Sequence, residues 1–157
     1  MRRTNPGDVA NAFVRCILAD IGAEFGGFTK KDWEKTLKYF EYRCAYTGKK
    51  LDEKSAVMYD VIPHNKECHG LHVYGNIVPA SPAANEAKGA MDYAEFLKKD
   101  TKVLGKLSNT EREKRVAAIR KFLNENYEPK KKKLDELRIN FNDYYETIKG
   151  MCAREKK

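Results

Sequence analysis

The sequence predicts an α+β fold, with helices at both ends of the chain and a short β-hairpin in its middle. Apolar residues recur at three- and four-residue spacing near both termini, the period of helices with one buried face. Between Arg43 and Pro79 that period disappears, and two β-prone runs, Ala56 to Ile62 and Leu71 to Val78, flank a polar, glycine-containing stretch. Capping residues, glycine and proline fall at the joins.

Taken in order, Asp8 is positioned to cap a first helix with Val9, Phe13, Ile17 and Ile21 on its buried face, ended by Gly22, Gly26 and Gly27. Thr29 and Asp32 stand at capping-box distance ahead of a second helix whose stripe is Trp33, Leu37 and Phe40. After the two β-prone runs and Pro82, Ala83 to Lys88 suit a short helix interrupted by Gly89. Asp92 to Lys98 suit another, carrying Phe96 and Leu97. Thr110 and Glu113 predict a capping box for a helix bearing Val116, Ile119 and Phe122 or Leu123, which Pro129 should end. Leu134, Leu137, Phe141, Tyr144, Ile148 and Met151 then form one apolar stripe, predicting a single final helix of about six turns.

A chain of 157 residues that is 41% apolar suits one compact domain, 1–157, with a basic helical extension at 108–157. Its 31 Lys and Arg against 23 Asp and Glu leave a net charge of +8, which favours an anionic partner such as nucleic acid or an acidic membrane. The runs Lys130, Lys131, Lys132, Lys133 and Arg154 to Lys157 suit phosphate contacts or, equally, solvated helix ends. No apolar run approaches the roughly 20 residues of a membrane span, and Met1-Arg2-Arg3-Thr4 leads into Pro6-Gly7-Asp8 rather than a signal core, so a soluble cytoplasmic protein is expected. Cys16, Cys44, Cys68 and Cys152 are scattered, with no CxxC pair, and read as free thiols of a reducing compartment. Internal repeats are absent, and the short lysine run is the one low-complexity stretch.

Single-metal phosphodiester hydrolysis needs an oxygen-rich cation pocket beside a base that activates water. A hairpin packed on a short helix brings such groups together with few residues. The segments Arg43-Cys44-Ala45-Tyr46-Thr47-Gly48, Asp60-Val61-Ile62-Pro63, Gly70-Leu71-His72-Val73-Tyr74-Gly75-Asn76-Ile77-Val78-Pro79 and Asn85-Glu86-Ala87-Lys88 resemble the HNH endonuclease family over about the central third of the chain. The resemblance implies a ββα-metal core at 40–98 with N-terminal and C-terminal helices, and an intracellular nuclease of bacterial or phage type. Asn76 would brace the hairpin and orient the base. Asn85 would be a helix-borne ligand for Mg²⁺ or Mn²⁺, with Lys88 one turn on, near the phosphate.

One departure stands out. With Pro63 in register, Tyr59 occupies the family's acidic position and Asp60 that of its general-base histidine. Asp60 can itself serve as base or metal ligand. Alternatively His64 takes over proton transfer, or Tyr59 supplies a phenolate whose pKa is lowered by the metal or Lys88. A fourth alternative is loss of hydrolysis with binding retained. His72 alternates with Leu71 and Val73 and is assigned a structural role. Thr47, three positions after Cys44, removes the first zinc knuckle, and Cys68, His69 and His72 lack the tight pairing of a tetrahedral site, which argues against structural zinc. The substrate expected is DNA, double-stranded, and cutting both strands would favour a homodimer. A DNA-binding module without activity and an RNA-binding helical module are the competing classes.

Overall fold

A computed structural model describes residues 5–52 and 54–154. In chain order these form α1 (Pro6–Glu24), α2 (Lys30–Tyr39), β1 (Val57–Asp60), β2 (Ile77–Ala80), α3 (Pro82–Lys88), α4 (Tyr93–Lys98), α5 (Asn109–Asn126), α6 (Glu128–Glu136) and α7 (Phe141–Arg154). The architecture is α+β, mostly helical, with one two-stranded antiparallel sheet in the register Val57↔Ala80, Met58↔Pro79, Tyr59↔Val78 and Asp60↔Ile77. Among the described residues no helix is long and apolar enough to cross a membrane, and all four cysteines are free.

Several helix starts differ from expectation by a turn or less, each for a local reason. Asn5, not Asp8, caps α1: its Oδ1 accepts from Gly7 N at 3.0 Å, and Pro6 fills the first helical position, where its missing N–H costs nothing. The fully buried face of α1 is Ala10, Val14, Leu18 and Gly22; of the expected stripe, Ile17 and Ile21 pack partly buried against the core and Phe13 is exposed. Small residues on that face let α1 lie close along α7, where a methyl group added at Gly7 would stand 3.1 Å from the Tyr145 hydroxyl. The Thr29–Asp32 capping box is present as expected. That of α5 is Ser108–Glu111, two residues before the expected Thr110–Glu113.

The single final helix is overturned. Pro129 sits in the first turn of α6, just past the end of α5 at Asn126, and the chain breaks again at Arg138, whose φ is +52°. Asn140 then starts α7, its Oδ1 accepting from Asp143 N at 3.2 Å. The apolar stripe therefore divides: Leu134, Phe141 and Tyr145 are buried, while Leu137, Tyr144 and Met151 are exposed. Arg154 lies in the last turn of α7, and the terminal charges beyond it lie outside the described residues.

One hydrophobic cluster joins α1, α2, the sheet and the later helices, centred on Tyr46, Leu71, Val78, Phe96, Ile119 and Phe122. Phe122 of α5 meets Phe40 at 5.1 Å and Tyr74 at 5.7 Å between ring centroids, fastening α2 and the interstrand connection to the same core. Arg112 donates to the carbonyls of Leu97, Lys99, Leu104 and Leu107, which closes the α4–α5 connection around one guanidinium.

The second expected strand is also shorter than predicted. Residues 71–76 are bends and turns, and pairing begins only at Ile77. Asn76 takes hydrogen bonds that a ladder would otherwise use, and Gly75, at φ +102°, turns the chain where an added methyl would stand 2.4 Å from the Asn126 carbonyl carbon.

Candidate active site at the end of the hairpin

The hairpin connection is held from inside. The buried Asn76 amide accepts from Ile62 N at 2.8 Å and donates to Ile62 O at 3.0 Å and Leu71 O at 2.9 Å. From the other side the buried Tyr127 hydroxyl accepts from Leu71 N at 3.1 Å. Burial raises that phenol to about 12, so it stays protonated across the useful pH range. Both peptide groups flanking Leu71 are thus fixed, and His72 follows directly.

His72 Nδ1 lies 3.0 Å from Asp60 Oδ1 at the end of β1. A carboxylate only accepts, so Nδ1 carries the proton and Nε2 of the neutral ring is left as an acceptor. Half of the His72 side chain remains exposed, against about a fifth of that of Asp60. The hydrogen bond to Asp60 raises the His72 pKa above its ordinary value, with burial opposing it. Phe28 packs edge-on to the imidazole, ring centroids 5.7 Å apart. His72, assigned a structural role from its alternation with apolar neighbours, is the hydrogen-bond partner of Asp60. The cue available in the sequence was a polar, titratable residue in a loop anchored by Asn76.

Strand alternation turns the neighbouring residue the other way. Tyr59 points to α3, where its hydroxyl donates to Gly89 O. Burial, with the nearby Asp60 charge, raises its pKa. Lys88 is also corrected. It is 1% exposed, donates to Val61 O at 3.2 Å and lies 4.8 Å above the Tyr59 ring, so its ammonium is part of the interior and not a surface phosphate contact. Burial lowers its pKa to about 8, with Asp92, Cys68 and Asp60 pulling the other way. His64 does not turn toward Asp60. Its ring nitrogens lie 2.8 Å from Gly70 O and 3.0 Å from Arg15 O, which ties the connection to α1.

Asn85 sits one turn before Lys88 on the same face of α3, half-buried, and among the described residues no hydrogen bond engages its amide. Ser81 caps this helix and Pro82 opens it. Among the described residues no three His, Cys, Asp or Glu side chains converge on a metal position. Asp60 Oδ2 and the Asn85 amide oxygen accept no hydrogen bond among the described residues. In kind they suit Mg²⁺ or Mn²⁺, which accept one or two protein oxygens and fill the remaining positions with water and phosphate. Of the basic run, Lys130 is half-buried and donates to Tyr74 O and Asn126 O, whereas Lys131, Lys132 and Lys133 are exposed.

Nearby, the Tyr46 ring is fully buried, 6.4 Å from Tyr59 and 5.6 Å from Phe96, and its hydroxyl has no partner among the described residues. Burial pushes that phenol far above its ordinary pKa, which makes it core and not an acid or base.

Compared with family models, with curated proteins and with solved structures, the chain has no match. The functional reading therefore stands on the site.

Proposed function

We propose that this protein is a metal-dependent DNA endonuclease with an HNH-like, ββα-metal arrangement of β1, β2 and α3. The observation that carries the reading is the Asp60–His72 pair at the open end of a strand–strand–helix unit, with its connection locked by Asn76. Asp60 and Asn85 would hold Mg²⁺ or Mn²⁺. When bound, such a cation polarises the scissile phosphate and offsets charge on the leaving oxygen. His72 orients the Asp60 carboxylate through Nδ1, and Nε2 of its half-exposed side chain is available to accept a proton from water. Asn76 keeps the pair aligned by fixing the backbone on both sides of the connection. The net charge of +8 supports a polyanionic substrate.

A second reading, a DNA-binding module without hydrolysis, is favoured by one observation. Tyr59 faces α3 at the position where the resembling family carries an acidic residue, so that side of the strand offers a phenol already bonded to Gly89 O. Plasmid cutting separates the two. Nicking or linearisation with Mg²⁺ or Mn²⁺ is expected, abolished by EDTA and reduced at least about a hundredfold by Asn85→Ala or Asp60→Ala, with circular dichroism unchanged. Absence of cutting with every divalent metal would leave only the binding module.

A further inference from the structure

Beside the Asp60–His72 pair the surface opens into a cleft of about 680 Å³ between the end of α1 and the start of α6, lined by Glu24, Phe25, Gly26, Pro129, Lys130 and Lys133. Three contacts join this cleft to the candidate site. The last turn of α1 lies on the His72 backbone, since a methyl group added at Gly22 would stand 3.9 Å from both His72 N and O. Lys130 Nζ donates to Tyr74 O at 3.1 Å, two residues beyond His72. The turn that contributes Phe25 and Gly26 continues to Phe28, whose ring packs on the imidazole.

The cleft's charge is suited to phosphate. Among the described residues no carboxylate lies within ion-pair distance of Lys130 or Lys133. Two carbonyls hold Lys130 in place and leave one of its three N–H groups uncommitted. Lys133 follows one helical turn on, exposed and free to move. The opposite wall is low: the backbone at Gly26 and Gly27 has open space where side chains would be. Glu24 in the lining opposes an anion there, and Asp32 lies near enough to act on Lys130.

We infer that this cleft seats the phosphodiester backbone of the DNA strand next to the reacting bond, with Lys130 as the fixed contact and Lys133 as the adaptable one. This rests on the nuclease reading. The test is binding of labelled duplex DNA by the full chain in EDTA across a salt series, so that no cleavage is required. Lys133→Gln is expected to weaken binding about tenfold and to make the slope of log affinity against log salt shallower by about 0.9, the loss of one phosphate contact. Lys132→Gln, which removes the same charge from the same exposed helix outside the cleft, should stay near wild type, and Glu24→Gln should tighten binding several-fold. Equal losses for Lys132→Gln and Lys133→Gln, or no binding of duplex by wild type, overturn the cleft. Plasmid cutting by the same proteins with Mn²⁺ keeps the two ideas apart. Cutting with equal lysine effects overturns the cleft alone, whereas cleft-dependent binding without cutting overturns the nuclease reading alone.

Discussion

At the scale of single residues, the candidate site was partly legible because its anchors are residue types with few other uses. A glycine next to a buried-type asparagine, Gly75-Asn76, marks a turn that must carry hydrogen bonds; here Gly75 supplies the positive φ and Asn76 the hydrogen bonds. The Asp60–His72 contact was not legible, since it depends on where a 71–76 loop folds back and not on spacing. Lys88 was misplaced for a related reason: periodicity puts it on the helix face of Asn85 but does not say that β1 covers that face. Gly75 gives the sharpest test at this scale. An alanine there would need both a left-handed backbone and a methyl 2.4 Å from the Asn126 carbonyl carbon and 2.6 Å from Tyr127 N. Gly75→Ala should therefore cost about 3 kcal/mol in a urea melt and loosen His72 with it. Gly26→Ala, at φ +98° but with nothing within 4 Å, should cost only the backbone strain, about 1 kcal/mol. Equal losses for the two would mean that the close approach at Gly75 does not matter.

At the scale of elements, strand and helix identities came through better than their ends. The Thr29–Asp32 box, the short helices after Pro82 and Asp92, and the two-strand order are all local signals, and each is realised. The failure at the last helix has a specific cause. The apolar series Leu134, Leu137, Phe141, Tyr144 keeps helical spacing across a break, so periodicity alone reads straight through it. The contrary signal was Asn140 with Asp143 three residues later, a capping pair in which Asn140 Oδ1 accepts from Asp143 N at 3.2 Å and Asn140 Nδ2 donates to Asp143 Oδ2 at 2.7 Å. The corner therefore predicts changes of opposite sign. Asn140→Ala removes the cap and should lower stability by about 1 kcal/mol. Arg138→Gly relieves a left-handed φ of +52° and should raise it by up to about 1 kcal/mol. Thermal melts of the two variants check both. If Asn140→Ala is neutral, packing of Phe141 and Tyr145 on α1 holds the start of α7 without its cap.

At the scale of the whole molecule, the groups displaced from their ordinary pKa values act on one unfolding equilibrium and give it a pH profile. His72 is raised by Asp60, so the stability it contributes is full below its unfolded value near 6.5 and is lost as pH climbs through the folded value. Because half of that side chain is exposed, the decline should be shallow and weakened by salt. Lys88 runs the opposite way. Its folded value of about 8 lies below its ordinary 10.5, so the unfolded chain binds the extra proton between those limits and stability rises across them. For a side chain 1% exposed and without an ion-pair partner among the described residues, the penalty at neutral pH is on the order of 3 kcal/mol. Tyr127, raised to about 12, holds its contribution below its ordinary 10 and loses it above, so the rise gives way to a fall. Unfolding free energies measured from pH 6 to 11 without metal should therefore dip near neutrality, climb through about 8 to 10, and drop beyond. Lys88→Met replaces the buried ammonium with an apolar chain of similar length, and it should erase the climb while raising the melting temperature at pH 7. A lower melting temperature for Lys88→Met at pH 7, with the climb intact, would show that the Nζ bond to Val61 O outweighs the cost of burying the charge, and that the alkaline rise comes from other groups.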